Sequence, residues 1–278
     1  MNVTPSADTE SDPESLRLLA DSLRTTMSAA SGAKLDAALT DLGWRDMLDE
    51  MPDIAIPLVF KLLGETGAHA PVLNDVVLRA AGDAPGGSLP LPFAGGSWVL
   101  WERRDHPEAA IDELLPIHRV PQEDPLPPAA LQAGWRAVGW WLAGTSRAML
   151  SLARQHAVDR VQFGRHISSF QAIRHRLAET LVAIEGAEAT LQAATECDDP
   201  QGLASLLAKA AAGQAALTTA RHCQQVLGGI GFTAEHPLHH HIKRSLILDG
   251  LLGSTRELIR QAGNAVVTAG SAPRLAQL

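Results

Sequence analysis

The sequence predicts a mainly α protein with an N-terminal helical region, a reduced β segment and a C-terminal antiparallel helix bundle. Three observations carry that expectation. Apolar residues recur at helical spacing through residues 15–81 and again from residue 129 onward. Between them, residues 82–128 are punctuated by glycine and proline. After residue 129 the periodic segments are long and their connections short, as in helices laid antiparallel in a bundle.

Residues 1–14 are polar and acidic and read as a disordered tail, without the basic start and apolar run of a signal peptide. In residues 15–81, Leu16, Leu19, Leu23 and Met27 begin an amphipathic run, and Leu35, Leu39, Leu42 and Met47 continue it. Residues 54–63 supply another apolar face, and residues 64–71 read as a loop. In residues 82–128, Gly86, Gly87, Pro90, Pro92, Gly95 and Gly96 break the chain, and Ser97-Trp98-Val99-Leu100-Trp101-Glu102 is the best strand candidate. Too short for a full sandwich or barrel, the segment predicts a small β remnant, closed by Pro121, Pro125, Pro127 and Pro128. Residues 129–278 form the bundle. Trp135, Val138, Leu142, Met149 and Leu152 make one stripe, ending near Asp159; Ile173, Leu177, Leu181, Ile184 and Leu191 make a second. The turn Asp198-Asp199-Pro200-Gln201-Gly202 places Pro200 to start a third helix reaching Val226, and a fourth follows Gly253.

Composition narrows the function. With 46% hydrophobic residues in 278, the chain can bury a sizeable core, yet no stretch of about twenty apolar residues is free of charge. A net charge of -8 opposes non-specific binding to nucleic acid. Arg154, Arg160, Arg165, Arg174 and Arg176 form a compensating basic cluster, which reads as a local anion site. Cys197 and Cys223, far apart in sequence, fit two buried thiols in a reducing cytoplasm better than a disulfide framework.

Two motifs carry chemistry. The first is Arg160-Val161-Gln162-Phe163-Gly164, with Gln171 seven residues beyond the glycine. Arginine offers a fork of donors for a phosphate, and glutamine offers amide groups for a ring or ribose. The second is Gln225-Val226-Leu227-Gly228-Gly229-Ile230-Gly231-Phe232. Its glycines let backbone amides approach a ligand that side chains would block, as a pyrophosphate cradle requires. It is not a Rossmann fingerprint, because no strand precedes it and the spacing is wrong.

In this order and at this spacing, the two motifs resemble those of the acyl-CoA dehydrogenase family. His236-Pro237, Lys243-Arg244 and Ser254-Thr255-Arg256-Glu257-Leu258 extend the resemblance, which covers residues 129–263 and reaches weakly into the N-terminal helices through Leu42-Gly43-Trp44 and Leu63-Gly64-Glu65. The resemblance implies FAD bound across a subunit interface. The ADP half of a neighbour's flavin would fall to Arg160, Gln162, Phe163, Gln171, Gln225, Gly228 and Gly229.

It also implies a catalytic carboxylate, because the α-proton of a thioester is only weakly acidic and needs a base. The family places that glutamate nine residues after the arginine matched by Arg244, where this chain has Gly253. Some members carry it on the helix before R-x-x-F-G instead, at the position of Gly134. Neither residue can take a proton, so no catalytic residue is assigned; Asp249 and Glu257 lie near enough to be displaced alternatives. The short β segment also lacks the family's W-x-T/S-N-type strand. An ADP-binding half retained beside a catalytic half lost resembles the smaller, degenerate subunit of the heteromeric (α2β2) dehydrogenases of bacterial steroid degradation. A larger catalytic chain would then be the partner in a heterotetramer sharing the FAD. The alternatives are a complete homomeric dehydrogenase with a displaced base and a purely structural helical protein. The cluster His236, His239, His240 and His241 has no carboxylate partners at ligand spacing, and no metal site is assigned.

Overall fold

The computed structural model describes residues 13–103, 115–197 and 199–272. The tail expected at residues 1–14 lies outside the described residues up to residue 12, and Pro13 and Glu14 open the first helix. Five helices come first: α1 (Pro13–Ala29), α2 (Ala33–Asp41), α3 (Trp44–Glu50), α4 (Pro52–Thr66) and α5 (Val72–Ala81). The amphipathic run through Leu42 and Met47 is not continuous. Gly43, at φ 79°, turns the chain between α2 and α3 so that Leu39 and Trp44 both face inward.

The residues from Gly64 do not begin a loop, because α4 continues to Thr66. The reason is packing. A Cβ at Gly64 would lie 2.3 Å from the Thr145 amide, and one at Gly144 would lie 2.0 Å from the Lys61 carbonyl. Two glycines therefore let α4 cross the long helix α6 (Pro128–Asp159) backbone against backbone.

The β segment is a three-stranded antiparallel sheet in the order β1 (Pro90–Phe93), β2 (Ser97–Leu100), β3 (His118–Val120). Its register pairs Leu91 with Val99 and Leu100 with His118. Buried Asp75 on α5 accepts from Trp44 Nε1 at 3.0 Å, from the Gly86 amide at 2.7 Å, and from Arg103, which also meets Asp36. One acidic side chain thus fastens the sheet region to the N-terminal helices.

After α6 comes a two-stranded hairpin, β4 (Val161–Gln162) and β5 (Arg165–His166), then α7 (Gln171–Glu196), α8 (Leu203–Leu227), α9 (Leu238–Gly250) and α10 (Thr255–Ala269). Pro200 sits in the turn before α8 rather than starting it; Asp199 Oδ2 receives the Ala204 amide at 2.6 Å and holds the first turn, while Asp198 lies outside the described residues. The helix α9 precedes the one expected after Gly253.

The main core wraps α6. Trp44, Phe60, Trp141 and Trp101 form a chain of ring contacts at 6.3, 5.9 and 5.7 Å. A second, smaller core closes one pole of the bundle, where Met149, Ala153 and Ala157 of α6 meet Cys223, Val226 and Leu227 of α8 and Leu238 of α9. Ile167 and Ile173 pack against it from the start of α7. Cys223 is buried and Cys197 half-buried, and both are free thiols. Among the described residues, no helix is long and apolar enough to cross a membrane.

Candidate functional site

That second core brings the two motifs to one pole of the bundle. Because α6 and α8 both end there, the turn after α6 and the glycine loop after α8 stand side by side. The rings of His156 and His236 lie 6.4 Å apart, edge to face, where the two turns meet.

Arg160 ends α6, its amide bonded to the His156 carbonyl at 2.9 Å and its side chain exposed. Gln162 and Arg165 flank the hairpin turn, and Gln162 Nε2 donates to the Val161 carbonyl at 2.8 Å. Phe163 and Gly164, at φ 54° and 76°, form a two-residue turn in which both residues are left-handed. Glycine takes that conformation freely; phenylalanine is strained in it. Phe163 is also 91% exposed, its ring edge-on to Phe170 at 6.1 Å, while the Arg165 guanidinium lies 4.1 Å over the Phe170 ring. Gln171 is the first residue of α7 and is exposed, as is Gln225 near the end of α8.

Gly228 follows at φ 65° and ψ -139°, a conformation essentially confined to glycine. A Cβ at Gly228 or Gly229 would meet nothing within 4 Å, so that backbone faces open space. Gly231 is different: a Cβ there would lie 2.9 Å from the Gln224 carbonyl, and its role is packing. Basic side chains act on the histidines of this pole. Burial first, then His236 and Arg160, hold His156 below the ordinary histidine value. His222 is lowered by burial and then by Arg176. All seven residues assigned from the sequence stand exposed or half-buried at this pole.

The two base positions lie elsewhere, and they differ: Gly134 is closed, whereas a Cβ at half-buried Gly253 would meet only the Leu258 side chain, at 3.2 Å. A Cβ at Gly134 would sit 2.5 Å from Leu252 Cδ1. Leu252 is fixed there by its amide, which donates to the Pro92 carbonyl at 2.7 Å, and by its carbonyl, which accepts from Trp135 Nε1 at 2.8 Å. Gly253, at φ 97°, presents its carbonyl to buried Lys209, which also donates to the Asp249 carbonyl at 2.9 Å. The turn between α9 and α10 is therefore stitched to β1 and to α8 by this chain's own atoms.

Nor are the neighbouring carboxylates free. Glu257 Oε2 receives the Ser254 amide at 2.9 Å and the Ser254 hydroxyl at 2.7 Å, and Oε1 receives the Gly95 amide at 2.9 Å. Those bonds, Ser254's first, hold its pKa below the usual carboxylate range. Asp249 Oδ1 accepts from the Thr255 amide and hydroxyl. Both acids serve as caps. Sequence reasoning passed over Lys209, although a single lysine in the alanine-rich run Leu206-Leu207-Ala208-Lys209-Ala210-Ala211-Ala212 is the signal of a buried amine. The four histidines do not share one face: the His239 and His240 rings contact each other at 3.7 Å, while His241 turns inward beside Gly67 and burial pushes it down to about 4.

The family model for the acyl-CoA dehydrogenase C-terminal domain matches residues 129–266, taking in α6 to α10 and both motifs. The chain belongs to the acyl-CoA dehydrogenase family. It is 34% identical over 220 residues to acyl-CoA dehydrogenase FadE34 of Mycobacterium tuberculosis, covering 73% of this chain and 30% of that protein. The chain spans about a third to about half the length of the first curated relatives it matches. Two solved structures share the acyl-CoA dehydrogenase fold. A variant of the steroid ACAD Tcur3481-Tcur3483 superposes with a TM-score of 0.70 at 18% identity, covering 93% of this chain and 99% of that one. The ChsE4-ChsE5 complex from Mycobacterium tuberculosis superposes with a TM-score of 0.68 at 19% identity, covering 96% and 99%.

Proposed function

We propose that this chain is a subunit of a flavin-dependent acyl-CoA dehydrogenase, supplying the ADP-binding half of a FAD site to a larger catalytic partner chain. The observation that carries this reading is a contrast within one molecule. The pole with Arg160, Gln162, Phe163, Gln171, Gln225, Gly228 and Gly229 is exposed, with open backbone at the last two, whereas both positions for the family's catalytic carboxylate are glycine and Gly134 is packed against Leu252.

FAD fits the first locus in part. Open backbone at Gly228 and Gly229 suits close approach by a dinucleotide, and Arg160 suits the charge of its pyrophosphate. Gln171 and Gln225 add amide donors, and exposed Phe163 adds an aromatic face. At the second locus Leu252 fills the space beside Gly134. When bound, the flavin supplies the hydride acceptor for α,β-dehydrogenation; this chain's residues bind and orient its nucleotide end, and the proton is taken by a carboxylate of the partner. The substrate proposed is an acyl-CoA thioester of a steroid side chain, a reading supported by the steroid ACAD of like fold. The assembly proposed is a cytoplasmic heterotetramer of two kinds of chain; the ChsE4-ChsE5 complex of like fold supports the pairing of two different chains.

The test is flavin stoichiometry and affinity. Each pair of this chain and its partner should hold one FAD. Arg160→Ala removes a charge-assisted contact of roughly 1.5–3 kcal/mol, so flavin affinity should fall about tenfold or more, with turnover recovering at saturating FAD. One FAD on every chain, or unchanged affinity in Arg160→Ala, would refute the half-site.

A further inference from the structure

The pole that carries the two motifs gathers arginines that this chain does not neutralise. Residues 154–179 and 221–236 hold six, Arg154, Arg160, Arg165, Arg174, Arg176 and Arg221, against three carboxylates, Asp159, Glu179 and Glu235, in a chain of net charge -8. Arg176 is half-buried and the other five are exposed. Among the described residues none of the six is in an ion pair, whereas Arg24, Arg79, Arg103 and Arg147 each hold a carboxylate of this chain.

Their contacts are with neutral groups. Arg174 Nε donates to the Ser168 carbonyl at 3.0 Å, Arg165 lies over the Phe170 ring, and Arg221 donates to the Leu217 carbonyl and the Thr218 hydroxyl, each at 3.3 Å. Asp159 is engaged by Gln155, whose Nε2 donates to both of its oxygens at 2.9 Å. The Ser168 and Phe170 contacts set Arg174 and Arg165 beside Phe163, whose ring meets Phe170. Val158 and Val161 of the same stretch are 50% and 49% exposed, and neither segment contains a lysine. Aromatic and aliphatic groups among arginines, with lysine absent, have the make-up of a protein interface rather than of a free surface.

One pyrophosphate cannot balance six guanidinium groups, and a guanidinium covered without a counter-charge is costly to desolvate. We infer that the surface of the partner chain that covers this pole is acidic, with carboxylates that pair Arg165 and Arg174 around the nucleotide end of the flavin. The inference rests on the half-site reading, which brings a partner to this pole, and adds the chemistry of that partner's face. Complementary charge across an interface steers encounter and fixes register, and salt weakens it.

Fluorescence-detected sedimentation of the co-purified complex over a dilution series tests it, with bound flavin counted by absorbance. Raising NaCl from about 50 mM to about 500 mM shortens the screening length about threefold and should weaken pairing about tenfold or more. At the lower salt, Arg165→Glu combined with Arg174→Glu should also weaken pairing about tenfold or more. The milder pair Arg165→Gln and Arg174→Gln should fall between that variant and wild type, and Lys34→Glu, a charge reversal on α2, should stay within about twofold. Salt-insensitive pairing, or wild-type pairing in the folded double variants, would overturn the assignment. So would salt-sensitive self-association of this chain alone, through exposed acids such as Asp41, Asp46, Glu50 and Asp53. Salt-insensitive pairing with one FAD per pair would leave the half-site standing without the acidic face. Salt-sensitive pairing with FAD on every chain would leave the acidic face and remove the half-site.

Discussion

Replacing Lys209 with methionine should flatten the pH dependence of this chain's stability between about pH 7 and pH 10. Lys209 is 1% exposed and donates to two backbone carbonyls, of Asp249 and Gly253. Burial drives its pKa down to about 7, with Asp249 and Glu257 pulling partly the other way. In the unfolded chain the same amine titrates near about 10.4. Between those values the unfolded chain binds a proton that the folded chain has released, so stability rises with pH through the window. Below about pH 7 both states are protonated and the full penalty of burying the charge is present. At roughly 1.4 kcal/mol per tenfold change in proton affinity, the window corresponds to on the order of 4 kcal/mol. A neutral amine still has two N–H groups, enough for both carbonyls, so deprotonation need not break either bond. Methionine abolishes the titration and leaves both carbonyls without a donor, each costing about 1–3 kcal/mol. The variant should therefore be nearest to wild type at pH 6 and fall behind it by pH 10. Urea unfolding of both proteins at unit pH steps measures the difference. A difference that stays constant from pH 6 to pH 10 would show that Lys209 does not titrate in the folded chain.

Restoring a carboxylate should not restore catalysis: Gly253→Glu and Gly134→Glu should show no dye-linked dehydrogenation in the isolated chain, and Gly134→Glu should lower Tm by several degrees because its side chain must displace Leu252. Turnover in the isolated Gly253→Glu chain would mean the flavin pocket is intact. Glu257→Ala removes a capping box and the bond to Gly95, so it should lose about 1–2 kcal/mol in chemical denaturation. In the complex, Glu257→Gln and Asp249→Asn should leave turnover near wild type; loss of turnover with flavin content preserved would identify a displaced base. Gly228→Ala forces a side chain into a conformation essentially confined to glycine and should reduce both thermal stability and flavin retention in the complex, read by melting and by absorbance of the bound flavin.

Where the sequence was readable, one periodic signal had one physical cause. The stripe of Trp135, Val138, Leu142 and Met149 faces the core of α6 because helical spacing admits no other face for it. Glycine gave the opposite case. Gly43 turns the chain, Gly64 lets two helices touch, and Gly253 accepts a lysine through its carbonyl, yet all three look alike in the sequence. Only the distant partner separates them: Gly144 for Gly64, Lys209 for Gly253. The helix α9 was hidden for a related reason, since its buried Leu238 and Leu248 are interleaved with histidines, a lysine and an arginine.

The candidate site shows the same division. That Gly134 and Gly253 lack a carboxylate was legible from the residue names alone. That the space beside Gly134 is filled was not, because the filling depends on Leu252, whose left-handed backbone at φ 59° is held from two sides by Pro92 and Trp135. A missing base by itself leaves open a pocket into which a neighbouring acid might reach. For Asp249 and Glu257 to reach such a space, each would have to give up bonds it makes around the start of α10. Those same bonds hold the α9–α10 turn, so a mutation that frees either acid should loosen the turn, read as a lower Tm, whatever it does to turnover.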